Sequence, residues 1–287
     1  MITPLGLLLV LGATACYSLV DLVRKMAAER MPLVPLMFWM AIGAVPIFLA
    51  WWWQGGAPAP GSGYWAPGVG SGLLNIGANL ALLRAVQLGE LSAVVPLLGL
   101  TPVLTTLCSI VLLGEVPTAA QWFGTLLVVG GAMLLQSGAH ASVEERGRHR
   151  EAVLCMLAVV VAWSAAMPLD KLASAAGSEA LHGAVLHAFT ALAPLVFLAW
   201  RGDLRRLASA RNHLGLVVVL TIGGFAALAF QLSALEHVFA GLVETIKRGI
   251  ASPTSLVLGA FFFGERIGAR KVVAVAVMVG GIALVLL

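Results

Sequence analysis

Residues 241–265 read GLVETIKRGIASPTSLVLGAFFFGE. The run has the length and apolar content to cross a bilayer, which takes about 20 residues of helix. Its first half nevertheless holds Glu244, Lys247 and Arg248. Positions three and four apart share a helix face, so the carboxylate reaches either cation on its own surface. One cation is then left over. An unpaired ionisable group deep in a span costs about 2.5 to 3.5 kcal/mol on the insertion scale, so such groups usually face a cavity and mark function. The trio is the expected functional centre.

The rest of the chain places this stretch in a membrane. Of its 287 residues 60% are hydrophobic and 10% charged, and the mean hydropathy is +1.00. A soluble domain carries about 25% charged residues. The composition therefore predicts an all-α integral membrane protein, multi-pass and in the inner membrane. Apolar runs separated by short polar breaks give ten candidate transmembrane helices, at 4–27, 33–53, 64–84, 91–113, 118–137, 152–172, 179–200, 214–235, 238–263 and 268–287. The longest breaks, 138–151 and 201–213, are too short to fold as soluble domains. No positive charge precedes the first apolar run, so it reads as a retained helix and not as a cleaved signal.

Charge sidedness orients the spans. With ten helices, the breaks after the first, third, fifth, seventh and ninth lie on one side, and 14 of the 17 Lys and Arg cluster there, from Arg24, Lys25 and Arg30 through Arg146, Arg148 and Arg150 to Arg270 and Lys271. The exceptions are Lys171, Lys247 and Arg248. The positive-inside rule puts those breaks in the cytoplasm and both termini on the non-cytoplasmic side.

Other polar residues in the spans carry two readings each. Asp21, Arg24 and Lys25 are spaced to pair on one face and read as an interfacial anchor. Asn75 and Asn79, one turn apart, either line a polar cavity or join helices by hydrogen bonds. Tyr17, Trp39, Trp163 and Gln231 are candidates for a cavity wall or for simple packing, and Trp51, Trp52 and Trp53 look like an interfacial belt. Pro96 and Pro102 are expected to bend the fourth helix, and Gly249 and Pro253 to break or kink the ninth. Glu115 and Glu265 read as caps or interfacial partners. Lys171 reads as a local partner of Asp170 or as a cargo contact at a cavity mouth, and His182 and His187 as locally hydrogen-bonded. Cys16, Cys108 and Cys155 lack paired spacing and read as reduced packing residues. The histidines fall at no metal-ligand spacing, so neither metal nor cofactor is expected.

The second half repeats the first. Tyr17-Ser18 and Lys25 recur as Trp163-Ser164 and Lys171 at an offset of 146, while Gly99, Gly114-Glu115 and Gly130-Gly131 recur as Gly249, Gly264-Glu265 and Gly280-Gly281 at an offset of 150. The units are 1–137 and 152–287, joined by a cytoplasmic linker at 138–151. Five helices per unit force the copies into opposite orientations, an inverted repeat. At the positions of Glu244, Lys247 and Arg248 the first unit has Val94, Leu97 and Leu98. A requirement of the fold would show in both copies, so the charges are expected to serve a ligand.

The stretch from Leu88 to Leu135, LGELSAVVPLLGLTPVLTTLCSIVLLGEVPTAAQWFGTLLVVGGAMLL, resembles the EamA-type repeat of the drug/metabolite transporter superfamily, and Gly241 to Leu287 resembles its second copy. The resemblance implies a ten-helix carrier with a central cavity lined by the first, third, fourth, sixth, eighth and ninth helices. It leaves the substrate open, since members move amino acids, nucleotide sugars, choline-like cations and drugs.

Together these readings give a secondary active transporter working by alternating access on a small anionic or zwitterionic metabolite. Lys247 and Arg248 would bind the negative group, and Glu244, Asn75, Asn79, Tyr17, Trp163 and Gln231 complete the candidate site. Glu244 is the candidate for coupling to a proton or cation. The competing readings are a structural ion pair in the trio, an exporter of amino acids, drugs or cationic, choline-like solutes using Glu244, and a lipid flippase. The spans hold neither a G-x-S-x-G nor two mid-span acids, which argues against an intramembrane enzyme. The expected partners are the solute and membrane lipids, with no nucleic acid, in a monomer or homodimer.

Overall fold

A computed structural model describes residues 2–27, 31–88, 95–136, 146–263 and 268–287. Among these residues the regular structure is entirely helical. The α-helices are α1 (Pro4–Ala27), α2 (Leu33–Gln54), α3 (Trp65–Gln87), α4 (Thr101–Leu113), α5 (Ala119–Gln136), α6 (Arg146–Ala176), α7 (Glu179–Trp200), α8 (Leu214–His237), α9 (Ala240–Phe263) and α10 (Ala269–Val285). Short 3₁₀ segments occupy Ser62–Tyr64, Val95–Leu100 and Leu204–His213.

Six helical stretches, in α1, α2, α3, α6, α7 and α8, are long and apolar enough to cross a membrane. Large side chains such as Val111, Trp200 and Phe261 are more than four-fifths exposed. Water would not tolerate so many of these on one surface, whereas lipid does. The deepest core lies where α8 meets α9, at Leu232, Leu235, Leu242, Val243 and Ile246.

Packing follows the internal duplication. The helix α3 runs along α6, α1 along α8, α2 along α7 and α5 along α10; α4 touches α6 and α9, and α9 touches α1. Exchanging α1–α5 for α6–α10 converts α3–α6 into α8–α1 and α4–α6 into α9–α1, and returns the remaining three pairs to themselves.

Several expectations are corrected. The fourth apolar run is not one bent helix: residues 95–100 are 3₁₀, and α4 begins only at Thr101. Pro102 stands in its first turn, where a missing N–H removes no helical bond. The sixth helix starts at Arg146, so part of the supposed linker is helical. Neither Gly249 nor Pro253 breaks α9, which continues to Phe263. The Trp39 indole donates to the carbonyl of Leu207 in the 3₁₀ segment before α8 at 2.8 Å, tying α2 to that segment. Asn75 and Asn79 donate to the carbonyls of Ser71 and Asn75 at 3.0 and 2.8 Å, and among the described residues these amides make no hydrogen bond to another helix. Glu265 lies outside the described residues.

Of the two glycine pairs noted in sequence, one member of each is a true contact. A Cβ at Gly281 would come within 2.7 Å of the Gly124 carbonyl and 2.9 Å of Val128, whereas one at Gly280 would meet nothing within 4 Å. Gly281→Leu is expected to destabilise the protein by about 1 to 3 kcal/mol through overpacking between α5 and α10. Gly280→Leu should stay within about 0.5 kcal/mol of the parent. Thermal unfolding of the detergent-solubilised variants measures the difference.

Candidate functional site

The trio forms one cluster. Glu244 is buried in the first turns of α9, and its carboxylate is shared: Oε2 accepts from Lys247 Nζ at 3.0 Å and Oε1 from Arg248 Nε at 3.2 Å. These are the i,i+3 and i,i+4 contacts the spacing allows. One carboxylate thus serves two cations, and the cluster carries a formal charge of +1.

Four other helices complete it. The Lys247 ammonium donates to Gln231 Oε1 of α8 at 2.6 Å and stands 5.0 Å from the centroid of the Tyr17 ring on α1. The ring face offers a cation partial negative charge at that range. From α4, the Thr101 hydroxyl lies 3.0 Å from Glu244 Oε1 and accepts from Arg248 Nε at 3.3 Å. Ser164 of α6 donates to the Thr101 carbonyl at 3.4 Å. The approach of α4 to α9 that permits these bonds depends on Gly241, where a Cβ would fall 2.2 Å from Thr106 Oγ1 and 2.7 Å from its Cα.

The two cations differ in how far the protein satisfies them. Lys247 has partners on two sides and an aromatic face on a third. Arg248 uses only Nε: among the described residues its terminal nitrogens make no hydrogen bond, and 29% of its side chain is exposed. An unused guanidinium fork is a bidentate anion receptor.

Of the other sequence candidates, Gln231 and Tyr17 join the cluster directly. Trp163 packs in an apolar group with Ala85, Met156 and Leu97. Asn75 and Asn79 face the hydrogen bonds already described. Thr101, which bridges Glu244 and Arg248, escaped sequence reading; the signal available was one hydroxyl beside a proline in an apolar run that also holds Thr105, Thr106 and Ser109.

A second polar cluster joins α3, α6 and α7. Fully buried His182 places Nε2 3.0 Å from Asp170 Oδ1, and the Ser71 hydroxyl donates to the same oxygen. The Tyr64 hydroxyl lies 3.5 Å from the other ring nitrogen, Nδ1. Neither expectation for Asp170 and His182 holds: the histidine bonds across helices, and Lys171 bonds elsewhere. Its ammonium meets Glu115 Oε1 at 2.6 Å and the Val238 carbonyl at 3.0 Å. Glu115 Oε2 accepts from the Ala240 backbone N–H at 2.8 Å, so it caps α9 and not the helix that follows it in sequence. His187 does bond locally, to the Gly183 carbonyl at 3.1 Å.

A separate cavity of about 400 Å³ lies between α2 and α8, lined by Ile47, Ala50, Trp51, Gln54, Phe225 and Ala229. It contains no charged group and is distinct from the ionic cluster.

Long apolar helices closed around ionic and amide side chains define a multi-pass membrane protein with a polar interior, the class to which solute carriers belong. The chain belongs to the EamA-like transporter family, whose profile matches residues 4–137 and 150–287 as two copies. This makes it a membrane transporter of the drug/metabolite superfamily, a group of carriers and not of enzymes. A solved structure titled only "Crystal structure of protein" superposes with a TM-score of 0.76 at 19% identity, covering 97% of this chain and 95% of the other. That likeness supports the fold alone. No curated protein matches the sequence.

Removing the shared carboxylate should be costly. Glu244→Ala leaves two partly buried cations without their shared counter-ion and is expected to lose about 3 kcal/mol of stability or less, because their partial exposure reduces the cost of breaking a fully buried pair. Glu244→Gln, which keeps an acceptor oxygen, should lose less. The ranking is read from melting curves in one detergent.

Proposed function

We propose that the protein is a secondary active transporter of the inner membrane that moves a small anionic or zwitterionic organic metabolite by alternating access. In this reading ten spans form two inverted five-helix repeats, 1–137 and 152–287, linked through 138–151, with both termini outside the cytoplasm. The packing pattern supports a two-fold arrangement, because exchanging the halves preserves the helix pairs. The distribution of Lys and Arg supports the orientation.

The observation that carries the substrate class is the imbalance at Glu244. Two cations share one carboxylate, and the terminal nitrogens of Arg248 have no hydrogen-bond partner among the described residues. An incoming carboxylate, phosphate or sulfonate supplies the second negative charge and engages the open fork of Arg248 bidentately. Lys247, already held by Gln231 and Tyr17, contributes a point charge to the same group. Gln231 and Tyr17 would position the ammonium, while Thr101 fixes the guanidinium's orientation.

Charge-assisted hydrogen bonds are worth about 1.5 to 3 kcal/mol each. Arg248→Ala should therefore weaken anion binding by about 10- to 150-fold, with Lys247→Ala acting in the same direction. A thermal-shift screen of purified protein against carboxylates, phosphates, sulfonates and quaternary amines identifies the ligand class. Uptake of the best anion into reconstituted vesicles then tests the two variants. Stabilisation by anions that is lost in both supports the proposal. Stabilisation by quaternary amines alone, or uptake unchanged in both variants, overturns it, and scrambling of phospholipid in the same vesicles would favour a flippase.

A further inference from the structure

We propose, on the reading of the chain as a secondary carrier, that Asp170 and His182 form a proton-binding site separate from the Glu244 cluster. Occupancy of this site would couple a proton to the packing of α3 against α6 and α7.

The geometry argues for the pair from both directions. At Glu244 each carboxylate oxygen already receives a cation, so protonating it would leave two partly buried cations without their shared counter-ion. At Asp170 both donors, His182 Nε2 and the Ser71 hydroxyl, converge on Oδ1. Among the described residues Oδ2 makes no hydrogen bond, and 7% of the side chain stays exposed. One oxygen is therefore held in place while the other is open.

The titratable and charged surroundings leave the pair to itself. Tyr64 faces His182 from the 3₁₀ segment before α3, and α3 adds only the Ser71 hydroxyl and, beyond it, the Asn75 amide. Tyr17 of α1 is within electrostatic range of Asp170. On α6, Lys171 is next in sequence, but its ammonium is taken by Glu115 and the Val238 carbonyl. On α7, Glu179 lies in the first turn and His187 is bonded to its own helix. Among the described residues, no lysine or arginine is bonded to Asp170.

An ionised carboxylate only accepts, so Nε2 of His182 carries a proton and donates to Asp170. With one proton on the ring, bare Nδ1 accepts from the Tyr64 hydroxyl. A second proton, taken from water, occupies Nδ1 and turns the pair into imidazolium and carboxylate. Tyr64 must then change from donor to acceptor; no heavy-atom bond forms or breaks. This reversal reaches the backbone because the Tyr64 ring is wedged between glycines of two elements. A Cβ at Gly68 of α3 or at Gly177 in the α6–α7 turn would fall 2.9 Å from the ring. Just before Tyr64, the Gly61 N–H is bonded to the Ala176 carbonyl at 2.9 Å. A change in the ring's hydrogen bonding is thereby presented to the start of α3 and the end of α6 at once.

The test needs no cargo. In ¹⁵N-histidine-labelled protein in nanodiscs, the His182 resonances are identified by their loss in His182→Gln. They are expected to change from the singly to the doubly protonated pattern as the pH is lowered. Asp170→Asn, which preserves the shape of the hydrogen bonds, should move that transition by more than about one pH unit. Hydrogen exchange in residues 61–75 should depend on pH in the parent beyond the intrinsic chemical rate and lose that dependence in Asp170→Asn. A single protonation state of His182 throughout overturns the site. Titration without the exchange response overturns the coupling. A purely structural clamp would show neither signal while lowering stability in both variants. Because no anion is present, failure of the Lys247 and Arg248 reading would leave this outcome intact, and the reverse also holds.

Discussion

One carboxylate held between two cations is the constraint on which the rest of the structure depends. A lone charge in a span is expensive, and Glu244 offsets that for Lys247 and Arg248 together, through contacts along a single helix face. It cannot neutralise both. What remains is distributed unequally: Lys247 is held by an amide and an aromatic face, and Arg248 keeps its fork free of protein partners among the described residues. Buried charge retained in this way is weak support for stability and stronger support for a ligand.

The surrounding fold makes that arrangement possible in only one half of the duplicated chain. Gly241 lets α9 lie against Thr106 of α4, and three to seven residues further on Glu244 and Arg248 meet Thr101. The equivalents of Lys247 and Arg248 in the first half, Leu97 and Leu98, instead pack among the apolar residues of α3 and α6. The Asp170–His182 cluster is similarly one-sided, since 146 residues earlier the chain has Arg24 and Leu36. Duplicated helices thus supply the frame, while both polar clusters centre on side chains without a like counterpart in the other half.

What could be read in the sequence divides along the same line. Most helix positions followed from apolar run lengths, though not the start of α4 or of α6, and the contacts of Glu244 with Lys247 and Arg248 followed from spacing on one helix. Gln231 was recognisable as an amide in an apolar run, though not as the partner of Lys247, 16 residues away on another helix. Thr101 and the His182–Asp170 bond depend on which helices become neighbours, which no local pattern encodes. Of the two readings open for Asn75 and Asn79, bonding between helices gives way to bonds onto carbonyls one turn earlier, a choice that spacing alone does not make. Lys171 misled because Asp170 is adjacent in sequence but points around the helix toward His182.

The central claim is that Glu244 alone does not balance Lys247 and Arg248, and that an incoming anion supplies the missing charge. Isothermal titration of nanodisc-embedded protein with phosphate, acetate and methanesulfonate, comparing the parent with Glu244→Gln, tests this most directly. The variant withdraws the internal carboxylate charge and leaves both cations, so it should bind the preferred anion more tightly than the parent does. Equal or weaker binding by a folded Glu244→Gln protein would contradict the account.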